Sequence, residues 1–367
     1  MKLCIVTPSF SGGGAEKVAV NLANQYAENG IDVSLLVFIN SGPYKDQLSR
    51  KVKLIDLDVA RARYGIFKLG KVLAKESPSH IISVIRDVSI LVGLVLPKSL
   101  NCIVAYREAN TMHSVRRLPA IKRLIFKLLM KASYRKANLI IANSEDTKED
   151  LIKNGIVSHA KVKVIRNPVI PSDINLRASE VVDNEWLGNG YKVLLNIGRL
   201  HPQKNQALLI EAFSKVLERH LSAKLLILGE GSEMQALLNQ IDSLGLQGSI
   251  RILPFQKNPF PYYRASDLFV LTSDWEGFGN ILVEALACGT PVVSTDCPGG
   301  PRSILGNGKF GTLVPSGHAD SLAKAIIEQL NQPNRWDRVM LEARGHEYTV
   351  KAVAAEYLDH ITKENRD

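Results

Sequence analysis

Two successive series of short apolar runs, each followed by an amphipathic stretch, restrict this chain to one kind of architecture. Strand-like runs fall at Lys2–Thr7, Asp32–Phe38, Val52–Leu57, His80–Ile85, Asn101–Tyr106, Asn138–Ala142 and Lys161–Ile165. A second set follows at Lys192–Ile197, Lys224–Leu228, Ile250–Pro254, Leu268–Leu271 and Pro291–Thr295. Short apolar strands alternating with helical patterns predict parallel sheets covered on both faces. Between the sets, "RNPVIPSDINLRASEVVDNEWLGNG" loses periodicity and gathers Pro, Asn and Asp. At 367 residues the chain is long enough for two cores. The expected class is therefore α/β, with two doubly wound domains facing each other across a cleft. The domains are expected over 1–170 and 171–345, with a helix over 346–367 returning to the first. Ligands of such sheets sit beyond the carboxyl ends of the strands.

Several classes are excluded early. The opening MKLCIVTPSF enters a strand after one Lys and does not read as a signal peptide. No run approaches the roughly 18 apolar residues of a membrane span. Cys4, Cys102, Cys288 and Cys297 have no ligand-like spacing, which suits a reducing, cytoplasmic setting. Charge is uneven: residues 1–170 carry 27 basic against 13 acidic side chains, and the remainder 19 against 23. The basic half is expected to meet something anionic.

Three loops carry candidate chemistry. In "SDWEGFGNILVEALACGTPVV" (273–293), Gly277 and Gly279 let backbone approach a ligand just beyond a buried strand. A helix starting near Asn280 would offer the amides of Asn280, Ile281 and Leu282 to a phosphate. Glu284, one turn in, could accept two hydrogen bonds from a ribose diol, and Glu276 would face substrate at the mouth. "NIGRLHPQKN" (196–205) supplies Arg199 and Lys204, a fork and a point charge suited to a diphosphate. "SGGGAEK" (11–17) places Gly13 and Gly14 at the start of the first helix, where their amides could reach the cleft from its other wall. It is not a P-loop, and neither loop is a dinucleotide fingerprint. Each has a plainer reading beside it: Glu276 as a loop residue and Glu284 as a residue that favours a helix N-terminus, Arg199 and Lys204 as surface cations, and Gly13 and Gly14 as a tight turn. Asp56-Leu57-Asp58 is a D-x-D, but it ends an early strand, and no metal site is expected.

Together, G-R-x-x-x-x-K-N, L-G-E-G, E-G-F-G-N-x-x-x-E and A-x-G-x-P-V-V resemble the family-4 retaining glycosyltransferases of the GT-B fold, over nearly the whole chain. The resemblance implies two Rossmann-like domains, the second holding a nucleotide sugar, here expected to be UDP-linked. Arg199 and Lys204 match the cations on the departing diphosphate, Glu276 the carboxylate near the donor sugar, and Glu284 the ribose ligand. The base would lie near Arg251–Phe255, with Phe255 among the donor contacts. Retention is ascribed to front-side attack without metal, cofactor or protein nucleophile. The sequence departs from its relatives after the fifth strand, where they carry a histidine. Here "VAYREANTMH" offers Glu108, His113 or neither for the sugar or acceptor side, a lone His in such a loop being more often simply solvated, with Glu16 a further candidate. Ser303 also stands where relatives commonly have Glu.

The segment "RRLPAIKRLIFKLLMKASYRKAN" (116–138) has eight Lys or Arg and no acidic residue. Ile121, Leu124, Ile125, Leu128 and Leu129 recur at helical spacing, with Arg116, Arg123, Lys127 and Lys131 on another face. Three readings are open: a core-packing helix with a solvated basic face, an interfacial helix on anionic lipid, or a nucleic-acid surface. No nucleic-acid motif accompanies the charge. With the resemblance, the expected enzyme transfers a hexose or N-acetylhexosamine to a lipid-linked saccharide or growing surface glycan. It would work at the cytoplasmic face of the inner membrane, held peripherally through 116–136. A UDP-sugar 2-epimerase of the same fold and a non-catalytic nucleotide-sugar or lipid-binding protein are the alternatives.

Overall fold

The computed structural model describes residues 1–11, 13–59, 62–97, 99–112, 115 and 118–363, and His113 and Arg116 lie outside them. The chain forms two compact units, one of Met1–Val169 with Val350–Asp367 and one of Ile170–Thr349.

In the first unit the strands are β1 (Lys2–Thr7), β2 (Asp32–Val37), β3 (Lys53–Asp56), β4 (His80–Ser83), β5 (Ile103–Glu108), β6 (Leu139–Ala142) and β7 (Val162–Val164). The helices are α1 (Gly14–Glu28), α2 (Ile66–Glu76), α3 (Arg86–Val95), α4 (Ala120–Tyr134) and α5 (Glu145–Lys153). The parallel sheet runs β3-β2-β1-β4-β5-β6-β7, so strand order reverses between β1 and β4. In β1, Ile5 pairs with Leu35 on one side and Ile82 on the other. Alternate residues of β1 feed two cores. Leu3 and Ile5 join α1, while Cys4 and Val6 join α2, α3, α4 and α5. This is why the strands read as unbroken apolar runs.

The second unit begins with the short helix α6 (Ile174–Ala178), inside the stretch without periodicity. Its strands are β8 (Lys192–Ile197), β9 (Ala223–Leu228), β10 (Ile250–Leu253), β11 (Leu268–Leu271), β12 (Val292–Thr295) and β13 (Thr312–Val314). Its remaining helices are α7 (Gln206–Leu217), α8 (Met234–Ser243), α9 (Phe260–Ala265), α10 (Asn280–Ala287), α11 (Pro301–Ile304), α12 (Ala319–Asn331) and α13 (Arg338–His346). The order β10-β9-β8-β11-β12-β13 again reverses once, between β8 and β11. Strand β13 has no counterpart in the sequence reading. It is three residues long at a sheet edge and only Val314 is buried, so its apolar signal is weak.

The last helix, α14 (Val350–Lys363), belongs to the first unit. Its Val353, Ala354, Tyr357 and Ile361 enter the core under α1, and Tyr26 donates a hydrogen bond from its hydroxyl to the Ala354 carbonyl at 3.0 Å. Tyr357 is fully buried. Tyr357→Ala should therefore leave a cavity and destabilise the first unit by about 3–5 kcal/mol, the usual cost of deleting a buried aromatic. A urea midpoint unchanged from the parent would show that α14 is not part of that core.

Candidate active site

The reversal in the second unit sets the site. β8 and β11 are hydrogen-bonded neighbours, with Leu194 opposite Leu268 and Leu195 opposite Phe269. Their following loops leave one sheet edge side by side, at the position where open α/β sheets bind ligands. The loops are stitched together. Thr272 donates to the Lys204 carbonyl at 2.8 Å, and the Asp274 amide to the Gln203 carbonyl at 2.9 Å. The Gln203 side chain donates to the Trp275 carbonyl at 2.8 Å. Asn205 adopts a left-handed backbone (φ 46°), caps α7 by accepting from the Leu208 amide, and donates to Asp274 at 3.0 Å.

This stitching brings Lys204 Nζ to 2.5 Å from Glu276 Oε1, and Ser273 donates to the same oxygen at 2.6 Å. The Lys204 and Glu276 side chains are 15% and 7% exposed. Two charges so far from water are tolerable only as a pair. Arg199, from the same loop as Lys204, is exposed, and its guanidinium has no hydrogen-bond or ion-pair partner among the described residues. One cation is thus held and the other is available.

The bend at 276–279 rests on a second support that the sequence reading did not identify. The Glu276 amide donates to the Pro298 carbonyl at 2.9 Å. A Cβ on Gly300 would overlap the Phe278 carbonyl oxygen, so the C-P-G-G-P loop packs as bare backbone against E-G-F-G. The signal was the paired glycine between prolines. Cys297, in the same loop, is buried, and burial beside the Glu276 carboxylate pushes its thiol up to about 12. It stays protonated and is no nucleophile.

Gly279 precedes α10 with φ 99°, a conformation that favours glycine. The expected trio of amides needs one correction. Leu282 already donates to the Gly279 carbonyl at 2.9 Å, which turns its N–H into the helix, leaving Asn280 and Ile281 as the terminal positions. Glu284 is buried, and Tyr263 donates to its Oε2 at 3.1 Å. Phe255 is exposed and its amide donates to Glu230 of L-G-E-G at 3.3 Å. Arg251 stacks on Trp186 at 4.2 Å and pairs with Glu185, so it is engaged away from the loops that carry Arg199 and Glu276.

In the first unit, Gly13 caps α1 from an extended backbone and Gly14 begins it, while Glu16 is half-buried in the first turn. Glu108 requires correction. It is fully buried, accepting from Arg86 Nε at 2.9 Å and from the Tyr134 hydroxyl. Both oxygens serve the interior, so Glu108 does not face a substrate. Arg86 also donates to the Asn110 and Thr111 carbonyls, so the ion pair anchors the loop that follows β5. His113 lies outside the described residues. The D-x-D is an Asx turn, in which Asp56 accepts from the Asp58 amide at 2.7 Å.

Helix α4 inverts the usual burial rule. Ile121, Leu124, Ile125, Leu128 and Leu129 are all exposed, Ile121 by 76%, whereas Met130, Ser133 and Tyr134 of its last turns are buried. A different face holds it to the first unit: Phe126, Met130 and Tyr134 pack on the core, Lys127 donates to Asn154 at 2.9 Å, and Ser133 donates to the Ile90 carbonyl at 3.0 Å. The core-packing reading of its apolar stripe is therefore wrong. Among the described residues no helix is long and apolar enough to cross a membrane.

Comparison with known proteins agrees with this geometry. Residues 180–346 match Glycosyl transferases group 1, and residues 12–173 match Glycosyltransferase Family 4. The chain is 36% identical over 207 residues to the N-acetylgalactosamine-N,N'-diacetylbacillosaminyl-diphospho-undecaprenol 4-alpha-N-acetylgalactosaminyltransferase of Campylobacter jejuni, covering 56% of this chain. It spans about half (54%) the length of that curated relative. It is 27% identical over 341 residues to the lipopolysaccharide core biosynthesis glycosyltransferase LpsE of Rhizobium meliloti, covering 92% and 91% of the two chains. The crystal structure of Anabaena HepE in complex with UDP and glucose superposes with a TM-score of 0.81 at 21% identity, over 99% of this chain and 100% of that one. The chain belongs to the group 1 glycosyltransferases of the GT-B fold.

Ser273 is the most direct test of the site's geometry. Removing a hydrogen bond to a charged group costs about 1.5–3 kcal/mol. Ser273→Ala should lower turnover about tenfold or more while the circular dichroism spectrum is retained. Parental turnover in the folded variant would show that the hydroxyl does not hold Glu276.

Proposed function

We propose that this chain is a retaining glycosyltransferase that moves a hexose or N-acetylhexosamine from a UDP-sugar to a lipid-linked saccharide or growing surface glycan. The observation that carries this reading is the buried Lys204–Glu276–Ser273 cluster beside the exposed Arg199. The bond between the anomeric carbon and the diphosphate breaks with its electron pair remaining on the phosphate oxygen. Arg199 and Lys204, with the amides at the start of α10, offset that charge as it develops. An acceptor hydroxyl attacks from the face that the diphosphate leaves and passes its proton to a phosphate oxygen. Glu276 holds a hydroxyl of the donor sugar, Glu284 the ribose, and the backbone near Phe255 the base. The reaction runs without a metal or cofactor, because these cations and amides carry the diphosphate charge.

UDP is supported by the UDP complex of HepE, and a lipid diphosphate acceptor by the name of the Campylobacter relative. Both come here as proposals. A panel of UDP-, GDP- and ADP-sugars tests the donor, since a ligand of the native state raises its melting temperature. The expected result is stabilisation by a UDP-sugar, with Lys204→Ala and Glu276→Gln each lowering turnover by about two orders of magnitude or more. Folded variants that turn over at the parental rate would remove both residues from the mechanism.

The acceptor side rests on α4. Its exposed aliphatic face is accompanied by Lys122, Arg123, Lys127 and Lys131, and no Asp or Glu occurs between Glu108 and Glu145. Such a helix suits the interface of an anionic membrane, each nearby cation adding about 1 kcal/mol. On this reading the enzyme works at the cytoplasmic face, peripherally attached. In sedimentation with phosphatidylglycerol vesicles, the parent should pellet, and a variant with Ile121, Leu124 and Leu128 changed to Ser should remain in the supernatant. Equal pelleting of the two would reject the helix as the anchor.

A further inference from the structure

Among the buried groups that the mechanism leaves unused, one touches a proposed donor ligand directly. Tyr263 lies on α9, which precedes β11, and is fully buried. Its hydroxyl donates to Glu284 Oε2 at 3.1 Å. The phenol is fixed by contacts that do not involve Glu284. Its ring packs against Phe269 of β11 with centroids 5.2 Å apart and planes at 57°. Its backbone carbonyl accepts from Thr290 Oγ1 at 2.6 Å. Cys288, at the end of α10, also reaches the Phe260 carbonyl of α9 with its thiol at 3.7 Å. Helix α9 is thus pinned to both the strand before the site and the segment after α10.

Helix geometry sets where the carboxylate can reach. Glu284 stands in the second turn of α10, and long side chains on a helix lean toward its N-terminus. From position 284 the carboxylate therefore reaches back over the first turn, toward the bend at 277–280 on the ligand edge of the sheet. A carboxylate has about four acceptor positions. Tyr263 takes one of them, and rotation of the carboxylate plane would break that bond. Burial, followed by the nearby Glu284 charge, raises the phenol well above its ordinary value. It is therefore protonated, and a donor, at neutral pH. A buried tyrosine hydroxyl usually finds a partner, and a backbone carbonyl would have served packing equally well. Here the partner is a carboxylate on the element that starts the site.

We propose that Tyr263 is a positioning residue for nucleotide recognition: its hydroxyl fixes the Glu284 carboxylate so that it accepts hydrogen bonds from the ribose hydroxyls of the donor. The proposal rests on the reading of the second unit as the nucleotide-sugar site, and it adds a residue that selects ribose over deoxyribose. Tyr263 does not touch the nucleotide itself.

The test is a comparison of UDP with 2′-deoxy-UDP and 3′-deoxy-UDP, measured by calorimetry on the full chain. The parent should bind UDP about tenfold more tightly than at least one deoxy analogue, the scale of one lost hydrogen bond to a charged group. Tyr263→Phe keeps the ring and should weaken UDP about five- to tenfold, leave that analogue within about twofold, and so erase the preference. Glu284→Gln should erase it too, and combining the two changes should cost little more than Glu284→Gln alone. Equal weakening of UDP and both analogues would mean a structural role for the hydroxyl and would overturn the proposal. So would an unchanged preference in Tyr263→Phe. Should that variant not fold, Glu284→Gln with an intact ribose preference would overturn it as well. Failure of the parent to bind UDP, GDP or ADP would instead reject the nucleotide-sugar reading, and this inference with it.

Discussion

The contact between Lys204 and Glu276 joins the loops after β8 and β11 at the point where strand order reverses. Withdrawing both charges from water costs several kcal/mol per ion, which their attraction repays only with good geometry and added hydrogen bonds. Ser273 provides one such bond, and the side-chain and backbone hydrogen bonds between 203–204 and 272–275 hold both loops in register. The glycines of C-P-G-G-P let a third loop close against the bend. In the proposed reaction the pair also has a chemical use. A diphosphate entering beside Arg199 meets a lysine whose position is already fixed, so little reorganisation remains when charge develops on the leaving group.

The two units use buried charge differently. In the second unit, Lys204 and Glu276 pair between the loops that follow β8 and β11. In the first, Arg86 and Glu108 are interior, and their pairing fixes the backbone after β5 and reaches Tyr134 at the end of α4. Helix α4 is therefore tied at its last turn to the loop that follows β5, while its earlier turns expose their aliphatic side chains. Charge inside and hydrocarbon outside is the reverse of ordinary burial. Such an exposed aliphatic face suits a covering other than water, which the proposed lipid interface would supply.

Much of this was legible in the chain as written. Strand periodicity located all but one strand, and the one missed, β13, is short, at an edge and half-buried. Arg199, Lys204, Glu276 and Glu284 could be named as candidates because each stands in a loop or helix start that a strand pattern precedes. Ser273 and Tyr263 could not, because a serine beside a strand and a tyrosine in a short helix have no spacing that announces a partner. Glu108 was misread for the related reason that residues at a strand end can point to either face or inward. The partners that turned it inward, Arg86 and Tyr134, stand 22 and 26 positions away.

The class of fold, the two sheets and the loops that could meet an anion are written locally, because they follow from periodicity, turn chemistry and the types of residue present. Which charges neutralise one another, which hydroxyls bond the two carboxylates, and that the apolar stripe of α4 faces outward were settled by packing. Those outcomes depend on which side chains meet across long separations in sequence and on which surfaces lose their water, and no single segment encodes either.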